Sequence, residues 1–293
     1  MGIAMKFGLR YCNGGQYIDG KRGTELVQAG EAAGFESAWT VEHTVVPANY
    51  ESVYPYHQSG RLAGGLDEEP WPDPLMWMAY MAGVTEHLKF ATGILIVPQH
   101  NPVVIAKQVA TLDRMSNGRV LLGIGVGWLK EEFDALGVPF AARGKRTDEY
   151  VAAMRELWTA DLPSFDGEFV SFTNAYCRPQ PAQHSVPIIV GGDTPPAARR
   201  AGRLGDGYFP ARGAPQELLD LARRTAQDHG RDPDALEITT SMPDDPNDLP
   251  ALAARGVHRV LVPVTSIAGV ATAIADPDEC AEWADVIDRY RDL

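Results

Sequence analysis

Short apolar runs alternate with amphipathic stretches along the whole chain. Lys6 to Tyr11, Ser37 to Glu42, Leu88 to Thr92, Arg119 to Gly125, Ile188 to Val190, Gly207 to Phe209, Ile238 to Ser241 and Arg259 to Pro263 read as strands. Helical patterns cover Thr24 to Ala33, Pro102 to Arg114, Lys145 to Trp158, Pro196 to Leu204, Gln216 to Asp228, Leu249 to Arg255 and Glu279 to Arg291. One more helix opens with Asp73 as N-cap and Pro74 at the first helical position, and ends near Thr85. Ser116-Asn117-Gly118 stops the helix from Pro102. Asp166 to Phe172 reads as a small excursion around a hairpin turn. Eight strand–helix units within 293 residues favour one closed (β/α)8 barrel of the α/β class, with insertions in the loops at its C-terminal face. The competing fold is a doubly wound open sheet. Against it, no GxGxxG follows the first strand, where the chain reads Tyr11-Cys12-Asn13-Gly14-Gly15. No linker divides residues 1–293, so a single domain is expected. The longest loop, Thr44 to Trp71, is rich in Tyr, Gly, Pro and Glu, and a loop of that length reads as a lid.

Composition narrows the function classes. Hydrophobic and charged contents of 45% and 22% are those of an ordinary soluble protein, and no apolar run nears the ~20 residues that span a bilayer. Met1 to Phe7 lacks a signal-peptide pattern, so a cytoplasmic protein without membrane partners is expected. A net charge of −13 weighs against nucleic-acid binding, which needs a basic footprint. It does not bar an anionic cofactor, because local N–H groups and a few arginines decide that. Cys12, Cys177 and Cys280 are far apart and odd in number; they offer neither a metal site nor a disulfide framework and read as reduced thiols.

In a barrel the active site lies at the C-terminal ends of the strands. That rule gathers Asn13, Glu42-His43, Thr92-Gly93, Gly125-Val126-Gly127, Gly191-Gly192 and the segment after Phe209 into one ring. Two buried strands end in glycines, at Gly123-Ile124-Gly125-Val126-Gly127 and at Gly191-Gly192, each followed by a helical pattern. Without a Cβ the backbone can be approached closely, and a helix N-terminus attracts phosphate. The other reading of both turns is tight packing at a barrel rim. Thr194 adds a hydroxyl donor at the second turn, whereas Asp193 would oppose an anion unless its side chain turns away. Glu42-His43 is either a proton-transferring pair or a hydrogen-bonded structural pair. His100 reads as a loop histidine that caps the helix after Asn101-Pro102. Of the two basic clusters, Lys145 and Arg146 in the first and Arg199, Arg200 and Arg203 in the second read as solvated surface. Arg143 is the exception, because it precedes a helix on the loop after the fourth strand. Trp128 directly after Gly127 could line a planar ligand.

These words, in this order, resemble the luciferase-like monooxygenase superfamily, in the branch that uses the deazaflavin coenzyme F420. They are Phe35 to Trp39 with Glu42-His43; Asn101-Pro102 with Ala106-Lys107-Gln108 and Thr111-Leu112-Asp113; Gly118 to Trp128; Phe133 to Pro139; Arg143 to Glu149; and Ile189 to Gly192 with Ala197 to Gly202 and Gly205-Asp206-Gly207. The resemblance implies a TIM barrel holding the cofactor ring at the strand ends, between Glu42 and His43. It implies a cis, non-proline peptide at Thr92-Gly93 supporting the ring face. It also implies Gly125, Val126 and Gly127 under the ring or ribityl chain, and Gly191, Gly192 and Thr194 at the phosphate. The expected reaction is hydride transfer between the deazaflavin C5 and a small organic substrate, with His43, or alternatively Glu42, as proton donor or acceptor. The Tyr50 to Trp71 loop, with Tyr54, Tyr56 and His57, would close over the site. An FMN-dependent monooxygenase using reduced flavin and O2 is the alternative on the same barrel. A non-catalytic flavin- or deazaflavin-binding protein is the alternative of another class. Family analogy implies a homodimer. One departure is Trp128, where sugar-phosphate dehydrogenases of this branch carry an acidic residue.

Overall fold

A computed structural model describes residues 4–62, 67–267 and 270–293. In chain order the elements are β1 (Lys6–Arg10), α1 (Gly20–Ala33), β2 (Ser37–Thr40), α2 (Pro74–Ala82), β3 (Lys89–Thr92), β4 (Leu95–Ile96), α3 (Pro102–Met115), β5 (Val120–Gly125), α4 (Lys130–Ala135), α5 (Arg143–Thr159), β6 (Phe165–Asp166), β7 (Ser171–Phe172), β8 (Ile188–Gly191), α6 (Pro195–Leu204), β9 (Gly207–Phe209), α7 (Gln216–Asp228), β10 (Glu237–Ser241), α8 (Leu249–Ala254), β11 (Arg259–Pro263) and α9 (Ala284–Tyr290). Eight of the strands run parallel in the order β3-β2-β1-β11-β10-β9-β8-β5, and pairing of β3 with β5 closes the ring. The expected (β/α)8 barrel is therefore present. β4 lies against the outgoing end of β5, Leu95 opposite Ile124, at the mouth. β6 and β7 form the small antiparallel excursion expected near Asp166, with Phe165 stacked on Phe172.

Side-chain alternation sorts the core into two shells. Trp39, Ala91, Leu121, Ile189, Phe209 and Leu261, one from each of six strands, fill the barrel interior. Their chain neighbours Ala38, Phe90, Val120, Leu122, Ile188, Val190, Tyr208, Val260 and Val262 belong to the larger shell between barrel and helices. Both faces of the strands are thus buried, which is why they read as continuous apolar runs. Helix ends are set by side chains: Asp73 accepts from Met76 N, and Asn101 accepts from Val103 N and Val104 N.

Some boundaries moved. α1 starts four residues before Thr24, because Asp19 caps it through Lys21 N and Arg22 N. Gly23 in its first turn lets the helix approach α2 closely: a Cβ there would overlap the end of Met81, which would have to move aside. The segment read as one terminal helix from Glu279 is a 3-10 stretch, Pro277–Trp283, leading into α9. Among the described residues no helix is long and apolar enough to cross a membrane. Ala63 to Leu66, inside the expected lid, lie outside the described residues.

Candidate active site

A cavity of about 680 Å³ occupies the mouth of the barrel. Its floor is made of Gly93, Ile94, Ile124, Gly125, Val190, Gly191 and Phe209. A cis peptide bond joins Gly93 to Ile94, one residue beyond the expected Thr92-Gly93 position. The Ile94 side chain lies over the ends of β5 and β8. A Cβ at Gly125 or at Gly191 would overlap it. Those glycines therefore make room for Ile94, and the three together form the floor. Gly127 has φ +78° and a Cβ there would press on Phe133 and Ile96, so both conformation and space call for glycine.

On one wall, β2 runs into Val41, Glu42 and His43. Asn13 holds this turn: its amide donates to Val41 O and Pro72 O, and its carbonyl accepts from Val41 N. His43 Nδ1 lies 3.0 Å from Glu132 Oε2. Glu132 is fully buried in the first turn of α4, and its other oxygen accepts from Thr44 N and Val45 N. Burial raises the Glu132 pKa, but the hydrogen bonds from His43 and the backbone outweigh it and hold the carboxyl below its ordinary range. Whenever the ring carries a single proton, an anionic Glu132 keeps it on Nδ1. Nε2 then carries a lone pair on the cavity side, since His43 lines the cavity and its other nitrogen is taken. Glu42 is committed elsewhere. One oxygen accepts from Ile96 N and the other meets His100 Nε2 at 2.7 Å. Burial lowers the His100 pKa, yet the bond to Glu42 prevails and leaves it raised. Glu42 and His100 thus brace the rim loop between β2 and α3.

The opposite end of the cavity is cationic. Arg143, the first residue of α5, donates from Nε to Gly127 O at 3.0 Å and lies 3.7 Å from the Phe140 ring centroid. Arg200 on α6 pairs with Asp148 and donates to Gly144 O. Both line the cavity beside Thr147, Gly191, Gly192 and Thr194. Thr194 caps α6, its hydroxyl oxygen accepting from Ala197 N, which leaves its own O–H free to donate. The glycine N–H cradle expected here is thinner than the sequence suggests. Gly192 N donates to Phe209 O, and Pro195 and Pro196 bring no N–H to the first turn of α6. Guanidinium groups and the Thr194 hydroxyl are the principal anion donors, since the Thr147 hydroxyl donates to Arg143 O.

An aromatic wall closes the outer side. Trp128 makes edge contacts with His43, Tyr50 and Tyr54, at centroid distances of 6.0, 5.5 and 5.0 Å. Tyr54, Tyr56 and Trp71 from the expected lid reach the cavity, whereas His57 stays outside and binds Ser59. Arg212 ties this loop to the turn after β9 by donating to Tyr56 O. Asp193 turns away from the anion end: one oxygen accepts from Arg212 N and the other is buried without a partner. Its pKa is raised by burial.

Of the residues read from sequence, Glu42, His43, Gly93, Gly125, Val126, Gly127, Gly191, Gly192, Thr194, Arg143 and Trp128 meet at this cavity. Thr92 does not. It is fully buried in the barrel wall, and its hydroxyl donates to Gly123 O at 2.6 Å. Asn13 likewise braces the rim rather than lining it, and Asn101, not His100, caps α3. Two arginines read as surface are buried: Arg200 lines the cavity, and Arg146 donates to Pro139 O. Sequence reasoning missed Ile94, Glu132, Arg10 and Arg212. A charged residue closing the apolar strand Lys6–Arg10 was a usable signal for Arg10. Glu132 looked like any acidic residue in a first helical turn.

The profile of the luciferase-like monooxygenase family matches residues 5–285. A protein of Mycobacterium tuberculosis without assigned function is 37% identical over 199 residues, 68% of each chain. An F420-dependent glucose-6-phosphate dehydrogenase of Kineococcus radiotolerans is 30% identical over 280 residues, 92% of this chain and 77% of that one. The coenzyme F420-dependent tetrahydromethanopterin reductase of Methanopyrus kandleri superposes with a TM-score of 0.74 over 99% of this chain and 100% of that one, at 17% identity, a likeness of fold alone. The match along nearly the whole barrel means that this chain belongs to the luciferase-like monooxygenase family.

Proposed function

We propose that the protein is a coenzyme F420-dependent oxidoreductase that moves a hydride between the deazaflavin and a small organic substrate. The observation that carries the reading is one cavity holding a flat floor, a cationic end and a histidine with one nitrogen free. The F420-dependent relative supports the choice of cofactor. A planar, anionic cofactor fits the residues present. Ile94 with Gly93, Gly125 and Gly191 gives its ring a flat, apolar seat. Arg143 meets a backbone carbonyl and an aromatic ring but no carboxylate among the described residues, so its charge is available to a phosphate. Thr147, Thr194 and Arg200 stand beside it.

When bound, the deazaflavin supplies a carbon, C5, that accepts or donates hydride. The chain supplies the rest. Glu132 fixes the His43 tautomer and ring orientation through Nδ1. Nε2 takes a proton when the substrate is oxidised and returns it when the substrate is reduced. Glu42 cannot readily share this role, because both of its oxygens are bonded to Ile96 N and His100. Trp128, Tyr54 and Tyr56 shield the site from water.

Replacing His43 with Ala tests the assignment. Turnover should fall by about a hundred- to ten-thousand-fold, the usual contribution of a general acid–base group. Cofactor affinity, measured by titration on the same sample, should stay within about tenfold, since the anion donors are untouched. Unchanged turnover would reject the role of His43.

A further inference from the structure

We propose that the substrate is a ring-bearing, largely apolar compound with a single carbonyl or carboxylate group, and not a sugar phosphate or other polyol. This rests on the reaction taking place beside His43, as set out above. The cavity has two unlike halves. The half built from the turns after β3, β5 and β8 carries the glycines, the threonines, Arg143 and Arg200. The half built from the ends of β1 and β11 and from the long loop after β2 carries Tyr11, Tyr54, Leu62, Trp71, Ile267 and Val270, with Trp128 crossing over to touch Tyr54. His43 stands against Trp128, so a molecule that reaches its Nε2 lies against this second half.

That half has little to offer a polyol. Among the described residues no Asn, Gln, Asp, Ser or Lys lines the cavity, and its one carboxylate, Glu42, has both oxygens engaged. Several hydroxyls buried there would find only isolated partners, in the tyrosine hydroxyls, Trp71 Nε1 and Arg10, and would lose more water contacts than they gain. Flat rings, by contrast, meet aromatic edges and aliphatic side chains, which favour them through area and geometry alike.

Two buried donors are left over in this half, Trp71 Nε1 and the Arg10 guanidinium, and only the second is charged. The Arg10 side chain is 8% exposed and lines the cavity. It lies 4.4 Å from the Tyr11 ring centroid and 5.1 Å from that of Phe209. One of its nitrogens donates to Ser241 Oγ, and Nε is buried without a partner. No carboxylate of the described residues forms an ion pair with it. A guanidinium so placed presents N–H donors and positive charge to an sp2 oxygen, and a carbonyl or a carboxylate satisfies it. Trp128 selects the ring and Arg10 selects the oxygen.

The test uses the purified protein, with and without saturating oxidised F420, in equilibrium dialysis against naphthoate, acetylnaphthalene, naphthalene and glucose 6-phosphate. The two oxygen-bearing rings should bind both forms about tenfold or more tightly than naphthalene, and with F420 filling the cationic end glucose 6-phosphate should bind far more weakly than either. The ratio of naphthoate to acetylnaphthalene affinity then tells a carboxylate from a carbonyl. Trp128→Ala should weaken both rings by about tenfold or more. Arg10→Met should erase their advantage over naphthalene, and Arg10→Gln serves the same purpose if the Met variant does not fold. Tighter binding of glucose 6-phosphate to the F420-saturated protein, displacement of the rings by F420, or an unchanged advantage in folded Arg10 variants would overturn the proposal. Rings that bind while F420 does not would overturn the cofactor reading and leave this one standing.

Discussion

The two ends of the barrel treat their arginines in opposite ways. At the closed end, Arg259 begins β11 with its side chain 1% exposed. It forms a fork on Glu36, at 2.9 and 3.1 Å, and reaches Glu237 and Thr239 Oγ1 with its remaining nitrogen. Lys6 and Lys89 complete the set, on Glu237 and Glu36. At the mouth, buried Arg10, half-buried Arg143 and exposed Arg212 meet a hydroxyl, backbone carbonyls and aromatic rings instead. Arg200, paired with Asp148, is the exception. Burying a charge costs several kcal/mol unless it is partnered. The closed end supplies the partners from the chain itself and so belongs to the fold. The mouth leaves cations short of anions, which is the electrostatic form of a binding site for something the chain does not contain.

The contrast can be broken at the closed end first. Arg259→Met removes the buried cation between Glu36 and Glu237, leaving each with only a half-buried lysine, Lys89 and Lys6, and should cost about 3–5 kcal/mol in chemical denaturation. Arg10→Met at the mouth should cost under about 1 kcal/mol in the same assay, as it strands no carboxylate. Equal losses would dissolve the distinction between the two ends. Acid gives a second handle on the same network. Burial raises the Glu36 pKa, but the charge of Arg259 and its hydrogen bonds, with Lys89, bring it down from an ordinary 4.5 to about 2. A depressed carboxylate contributes stability that is fully present above its unfolded pKa and is lost as pH falls through the folded one. The stability gap between wild type and Glu36→Gln should therefore hold above pH 4.5 and close towards pH 2. A gap that widens on acidification would contradict the pairing. The smallest effect on folding is expected at the mouth. Arg143→Ala should shift the melting temperature little, yet weaken cofactor binding by about ten- to a hundredfold, the value of a charged hydrogen bond. Undiminished binding would move the anion site away from α5.

How far the sequence foretold this molecule depended on whether a feature was local. The barrel strands were legible because burial on both faces writes a continuous apolar run, as in Val120 to Ile124. Helix starts were legible where Pro stood at the first helical position, as at Pro74 and Pro102, although the cap of the second was read as His100 and is Asn101. The start of α1 was not, because Gly20 and Gly23 look like helix breakers until Met81 is seen packed against the second. The site was half legible. His43 and the glycine turns stand out by position at strand ends. The partner of His43 is Glu132, 89 residues away, and only closure of the barrel brings them together. Ile94 carries no sequence signal as a floor residue, and the Gly192 N–H is consumed by a carbonyl on the neighbouring strand, a fact of register rather than composition.

The central claim is that the uncompensated mouth is built for an anionic deazaflavin. It is tested most directly by titrating the purified protein with coenzyme F420 and with FMN, each oxidised and reduced, and following oxygen uptake on the reduced forms. Tight binding of the deazaflavin in preference to FMN, without oxygen consumption, is the expected result. Preference for reduced FMN, with oxygen uptake once substrate is present, would contradict it and make the protein a flavin monooxygenase on the same barrel.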